Sequence, residues 1–157
     1  MPKVTGELPG WLPAVNRVMK VLQRLGVAVG PVQVLVVPGR RSGEPRETPI
    51  TPFEVDGRCY VAAALPEADW ARNVRAAGRG ELRRGRRRRP VLLAEVHDPA
   101  TRRTVLRAFP AAAPGGVSFY VRLGLVERAD PDQFAAIADR VAVFEIRDAR
   151  EGAERGG

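Results

Sequence analysis

The sequence predicts an α+β domain in which mostly antiparallel, hairpin-linked strands close into a small or partly open barrel with helices inserted between them. About six strand-like runs are visible, and tight-turn signals such as Asp56-Gly57 and the glycine at 85 join neighbouring runs as hairpins. Helical patterns fall between these runs without regular βαβ alternation, which disfavours a doubly wound parallel sheet and favours barrel closure. At 157 residues, 45% hydrophobic and 28% charged, the chain is too apolar for disorder and fits one domain. A domain of this size buries about 70% of the surface that its unfolded form exposes. The expected organisation is an N-terminal amphipathic helix packed on the barrel in residues 1–31, the barrel itself in 32–148, and a disordered tail in 149–157.

The first element expected is a helix near residues 11–25, stopped by Gly26 and Gly30-Pro31. Leu12, Val15, Val18, Met19, Leu22 and Leu25 share one face of it, and Asn16, Arg17, Lys20, Gln23 and Arg24 the other. The β-branched run 32–37 reads as a strand covered on both faces. Residues 47–55 and 58–64 follow as a hairpin, with Pro49 and Pro52 marking the former as an edge strand or a bulged one. After Pro66 comes a short helix, with Asp69 as N-cap and Trp70, Asn73 and Val74 on one side, ending at Gly78. Strands 79–84 and 87–96 flank the turn at Gly85. Asp98-Pro99 then opens a helix whose Val105, Leu106 and Phe109 face the core. Pro114-Gly115-Gly116 is a loop, 117–125 a short apolar helix, Asp130-Pro131 the start of the last helix, and 141–146 the final strand.

Charge and composition exclude several chemistries. The single cysteine, Cys59, precludes an internal disulfide and reads as a small buried hydrophobe. With one histidine, His97, there is no His/Cys cluster of metal-ligand spacing, so no metal site is expected. Neither a dinucleotide fingerprint nor a Walker loop occurs, and no serine has a nucleophile-elbow context. The first twenty residues hold prolines and charges rather than an apolar run, which predicts a cytoplasmic protein without a signal sequence. Peripheral attachment to the inner face of an anionic membrane, with Trp11 at the interface, is the second reading of the amphipathic stretch. A net charge of +8 predicts anionic partners, and the run Arg83-Arg84-Gly85-Arg86-Arg87-Arg88-Arg89 carries six of the arginines.

The sharpest signal is Gly39-Arg40-Arg41-Ser42-Gly43-Glu44-Pro45-Arg46, a basic turn between two strands. Glycine lets backbone N–H groups approach an oxyanion, and arginine adds charge-assisted forks suited to a phosphate or carboxylate. A solvated basic hairpin is the alternative reading. Taken in order, this turn with Pro49-Ile50, an apolar strand to Ala64, Trp70-x-x-Asn73, and Asp139-Arg140-x-x-x-Val143-Phe144 resembles the deazaflavin-dependent nitroreductase family over residues 32–146.

That resemblance implies a split β-barrel of the FMN-binding type, often dimeric, that holds coenzyme F-420, with FMN as the alternative cofactor. It implies that Arg40, Arg41, Ser42, Gly43 and Arg46 grip the phosphate and acidic tail. It places Pro49, Ile50 and the strand Ala62, Ala63 and Ala64 along the ring, closed by Trp70 and Asn73. The implied reaction is hydride transfer between reduced deazaflavin and a small-molecule acceptor: a quinone, a nitroaromatic or another activated unsaturated compound. Tyr120 is the expected catalytic proton donor or orienting group. Phe109, Phe119 and Phe134 are candidate acceptor contacts, with core packing the alternative. The chain departs from the family pattern at Ala64-Leu65-Pro66-Glu67, which lacks the usual Ser-Lys-Gly-Gly type loop, and in its arginine run. Two other readings compete. One is a cofactor-binding protein without catalysis. The other is a basic nucleic-acid-binding barrel, which is disfavoured because no aromatic residue interrupts the basic hairpin for bases to stack on.

Overall fold

The structure, a computed structural model, describes residues 32–150. The expected N-terminal helix, the Trp11 interface and residues 151–157 of the expected tail lie outside the described residues. Strand β1 (Gln33–Pro38) has Val34, Leu35, Val36 and Val37 all buried, as a strand covered on both faces requires. It hairpins through the basic turn into β2 (Pro45–Ile50), and two residues, Thr51 and Pro52, lead on to β3 (Phe53–Val55). The expected single strand over 47–55 is thus two strands, because the chain leaves one sheet edge at Thr51-Pro52 and joins the other. Pro45 and Pro49 are tolerated because β2 lies at an edge. Asp56 and Gly57, at φ 52° and 78°, form the turn into β4 (Arg58–Ala63). A second hairpin joins β5 (Arg79–Arg84) to β6 (Arg87–Glu95), and β7 (Ala142–Asp148) inserts between β6 and β4.

The resulting seven-stranded antiparallel sheet has the order β2-β1-β5-β6-β7-β4-β3. Its two edge strands are joined by only Thr51 and Pro52. In a flat sheet they would stand roughly 29 Å apart at about 4.8 Å per strand, whereas three Cα–Cα steps reach at most about 11 Å. The sheet must therefore curl until its edges meet. Since β2 and β3 do not pair with each other, the barrel is split along that seam.

Helix α1 (Asp69–Ala77) covers the inside of the curl. Its Ala71 and Val74 pack with Leu35, Val61, Leu82 and Phe144. Asp69 is the first helical residue and not the expected N-cap. Ala68 occupies the cap position without a side-chain hydrogen bond, and Asp69 turns instead toward Arg40. Gly78, at φ 65°, closes the helix by donating its N–H to the Val74 carbonyl at 2.8 Å. A second core lies on the outer face of β3, β4 and β7, where Phe53, Tyr60 and Val143 meet Phe109, Tyr120 and Phe134. These come from α2 (Pro99–Ala112), α3 (Val117–Arg122) and α4 (Pro131–Ala136). Helix α2 starts as its sequence indicates, with the Asp98 carboxylate accepting the Thr101 N–H at 3.0 Å. Helix α3 is shorter than the expected 117–125, ending at Arg122. Ala149 and Arg150, the start of the expected tail, are described, and the Arg150 N–H donates to the Asp148 carboxylate at 2.9 Å. No described helix is long and apolar enough to cross a membrane.

Candidate cofactor and acceptor site

The basic turn is held in shape by its own backbone. The Gly43 N–H donates to the Gly39 carbonyl and the Gly39 N–H to the Glu44 carbonyl, both at 2.8 Å, while Ser42 Oγ accepts from the Glu44 N–H at 3.2 Å. Gly43 adopts φ 74°, a conformation that other residues take only with strain. Asn73, 6% exposed on α1, clasps the turn to the helix. Its Oδ1 accepts the Arg40 backbone N–H at 3.1 Å and the Arg40 guanidinium at 2.9 Å. The same guanidinium donates to Asp69 at 3.1 Å. Arg40 is therefore committed to supporting the turn. Arg41 and Arg46 are exposed and form no ion pair with an acidic group among the described residues. A groove of about 390 Å³ runs past Arg40, Arg41, Ser42, Arg46 and Asn73. Gly43 does not line it and contributes turn geometry instead.

A slot of about 230 Å³ opens at the seam of the barrel. Pro49 and Ile50 form one wall from β2, and Ala62, Ala63 and Ala64 form the other from the end of β4. Three consecutive alanines leave flat space where larger side chains would fill it. Trp70 on α1 and Thr48 on β2 line both cavities, so the apolar slot and the basic groove are continuous. The Trp70 ring leans on Phe144, with centroids 6.0 Å apart.

Tyr120 completes the slot from α3. It is 3% exposed, and its hydroxyl has no hydrogen-bond partner. Its ring lies 5.0 Å from Phe109 and 5.2 Å from Phe134 by centroid. Burial pushes the phenol well above its ordinary value of 10, so it stays protonated. Phe109 and Phe119 line the slot as well, whereas Phe134 is wholly buried behind them. Cys59 is half-buried, with its thiol pushed up by burial. Among the described residues no three His, Cys, Asp or Glu side chains gather as metal ligands.

One supporting group has no counterpart in the sequence reading. Arg75 on α1 reaches Glu95 through two hydrogen bonds, at 2.9 and 3.1 Å, and donates to the Pro66 carbonyl at 2.6 Å. Its guanidinium also sits 5.7 Å from the centre of the Phe144 ring, behind Trp70. It thus fixes the departing Ala64-Leu65-Pro66-Glu67 loop, two of whose residues face the slot. Twenty residues separate Arg75 from Glu95, so no local pattern announces the pair.

The sequence model of the F-420H(2)-dependent quinone reductase family matches residues 15–120. No curated protein matches the chain. Among solved structures, one described as a domain-swapped dimer is 17% identical, with a TM-score of 0.53 over 87% of this chain and 97% of its own. A protein of unknown function from Agrobacterium tumefaciens is 16% identical, with a TM-score of 0.50 over 94% of this chain and 59% of its own. An F-420-dependent reductase is 18% identical, with a TM-score of 0.48 over 75% of this chain and 95% of its own. The first of these likenesses concerns the fold, which it shares with the curled sheet described above.

Proposed function

Because the chain belongs to the F-420H(2)-dependent quinone reductase family, we propose that the seam slot and the basic groove together hold coenzyme F-420 and present it to a quinone. Nitroaromatics and other activated unsaturated compounds are further acceptors in the same reading. The observation that carries it is the continuity of a largely apolar slot with a cationic groove at Trp70 and Thr48. A planar ring with a long anionic tail needs both, in that order. When bound, the reduced deazaflavin supplies a hydride.

The chain's own residues bind, orient and exclude water. Arg41 and Arg46 meet the acidic tail with unshared guanidinium groups, and Ser42 adds a hydroxyl beside them. Arg40 and Asn73 keep the turn at a fixed distance from α1, so both cationic side chains start from a rigid base. Pro49, Ile50, Ala62, Ala63 and Ala64 form the walls against the ring, and Trp70 closes the junction between ring and tail. Phe109 and Phe119 make the acceptor side apolar, and Tyr120 directs its hydroxyl hydrogen at the acceptor oxygen that becomes anionic. With its phenol held protonated, Tyr120 stabilises that oxygen as a donor throughout the reaction. A second copy of the chain completes a homodimer in this proposal.

Titration of the full chain with oxidised F-420, and in parallel with FMN, tests the reading through tryptophan quenching and ligand absorbance. The expected result is F-420 binding at micromolar affinity or better, about −8 kcal/mol, with weaker FMN binding. Binding of neither removes the oxidoreductase reading, and equal binding of both removes the role given to the arginine groove.

A further inference from the structure

Sheet ladders do not hold the seam slot over its whole length. Strand β4 pairs with β7 only as far as Ala63 opposite Ala142, so Ala64 and Leu65, which line the slot, lie beyond the last ladder pair. The side chains of Ala64, Leu65 and Pro66 carry no polar group, and Pro66 has no N–H to donate. This end of the wall is anchored through backbone carbonyls instead. Leu65 accepts the Ala68 N–H at 3.1 Å, and Pro66 accepts Nη1 of Arg75 at 2.6 Å.

Two arginines of α1 reach the loop. Arg72 meets Glu67 at 3.2 Å, but these side chains are 46% and 63% exposed, and such a pair contributes little. The side chains of Arg75 and Glu95 are more enclosed, 29% and 19% exposed. Nε and Nη2 of Arg75 donate to the two Glu95 oxygens at 2.9 and 3.1 Å, which fixes the guanidinium as a fork. Glu95 stands directly across the ladder from Phe144. The same guanidinium lies 5.7 Å from the centre of the Phe144 ring, and that ring is 6.0 Å from Trp70 by centroid. One planar group thus holds the carbonyl next to Leu65 and rests on the ring that backs Trp70, and β6 sets its position.

We propose that Arg75 is a positioning residue for the ring-binding part of the site. Its fork sets where the unpaired end of the β4 wall and Trp70 stand, and so governs affinity for a planar ring without governing the grip on an acidic tail. The proposal rests on the reading that the slot holds the deazaflavin ring. The basic turn is tied to α1 through Asn73 and Arg40, so ring and tail depend on separate struts of one helix.

Titration of the full chain with oxidised F-420 and with 5-deazariboflavin, which has the ring but neither the phosphate nor the acidic tail, tests it. Affinities are read well below Tm, where a loss of stability alone leaves nearly all chains folded. Arg75→Gln should weaken both ligands by the same factor, about tenfold, the equivalent of one hydrogen bond from a charged donor. Asn73→Ala, which removes a tie of the same kind from the same helix, should weaken F-420 alone. Arg72→Gln, with an equal charge change beside the same loop, should weaken neither. Arg75→Lys keeps the charge and the apolar stem but not the fork, and it should show the Arg75→Gln pattern even where Arg75→Gln itself fails to fold. Loss of F-420 affinity with deazariboflavin affinity intact, an equal loss in Arg72→Gln, or wild-type affinity for both ligands in either Arg75 variant would each overturn the inference. So would a wild type that holds F-420 and not deazariboflavin, because the slot would then supply no ring affinity to govern. A wild-type chain that binds neither ligand removes the reading of the slot itself, and the inference with it.

Discussion

Replacing Tyr120 with Phe is expected to move stability and activity in opposite directions. The substitution removes one oxygen, and that oxygen is buried without a partner among aromatic rings. Leaving a buried polar group unsatisfied costs about 1–3 kcal/mol, so the variant should gain at least about 1 kcal/mol in the ligand-free protein. For a chain of this length that raises Tm by about 3 °C. Alkaline pH sharpens the contrast. The folded phenol is pushed above 10 while the unfolded one is not, so the unfolded state loses its proton first and wild-type stability falls as pH rises past 10. The slope is about 1.4 kcal/mol per pH unit for one proton, and this component is missing in Tyr120→Phe. Turnover should drop instead, because a hydrogen bond to a charged oxygen contributes about 1.5–3 kcal/mol, roughly 10- to 150-fold in kcat. Differential scanning calorimetry at pH 7 and pH 11, beside steady-state quinone reduction, reads both. A less stable variant would show that the hydroxyl has a partner in solution. Unchanged kcat would take Tyr120 out of the chemistry.

Arg41→Ala and Arg46→Ala should each weaken F-420 binding about tenfold while leaving Tm unchanged, since both side chains are exposed; a thermal shift with unaltered affinity would contradict their assignment. Asn73→Ala should lower both quantities, because it strips two hydrogen bonds from Arg40, with a stability loss of about 2 kcal/mol by urea denaturation. Glu95→Gln tests the Arg75 latch by pH. Arg75 holds the Glu95 carboxyl below its ordinary 4.5, so the pair stabilises the fold above that value and the benefit disappears as pH falls through the lowered one. The variant should be about 1 kcal/mol less stable at pH 7 and match the wild type only once pH has fallen below that lowered value. Gly80→Ala should destabilise by at least about 2 kcal/mol, because its Cβ would lie 2.6 Å from the Val36 carbonyl oxygen, a backbone atom that cannot swing away; a wild-type Tm would refute the close approach of β5 to β1.

Local chemistry made much of the fold readable in the sequence. Asp56-Gly57, Asp98-Pro99 and Asp130-Pro131 each carry their turn or cap within a few residues, and each stands where its pattern indicated. Asp69 reads equally well as a cap, but a guanidinium 29 residues earlier claims its carboxylate. The strand over 47–55 breaks at Thr51-Pro52 because of sheet closure, which is a property of all seven strands together. In the site, Pro49, Ile50 and Ala62, Ala63 and Ala64 line the slot, most of the basic turn lines the groove, and Trp70 lines both. The distinction between Arg40 and its neighbours was illegible in the sequence. Three adjacent or nearby arginines look alike until Asn73 selects one as a strut. The Arg75 latch was hidden for the same reason, since its partners come from three separate elements.

The place of β7 gives the seam a kinetic consequence. One wall of the slot belongs to the block β2-β1-β5-β6 and the other to the hairpin β3-β4, and β7, residues 142–148, is the strand that pairs with both. Cys59 meets Ile146 across that ladder, a separation spanning most of the described chain. Contacts of such long range form slowly. The two walls therefore acquire their spacing only when that slow contact is made, and a chain in which that strand has not docked has two half-sites and no slot.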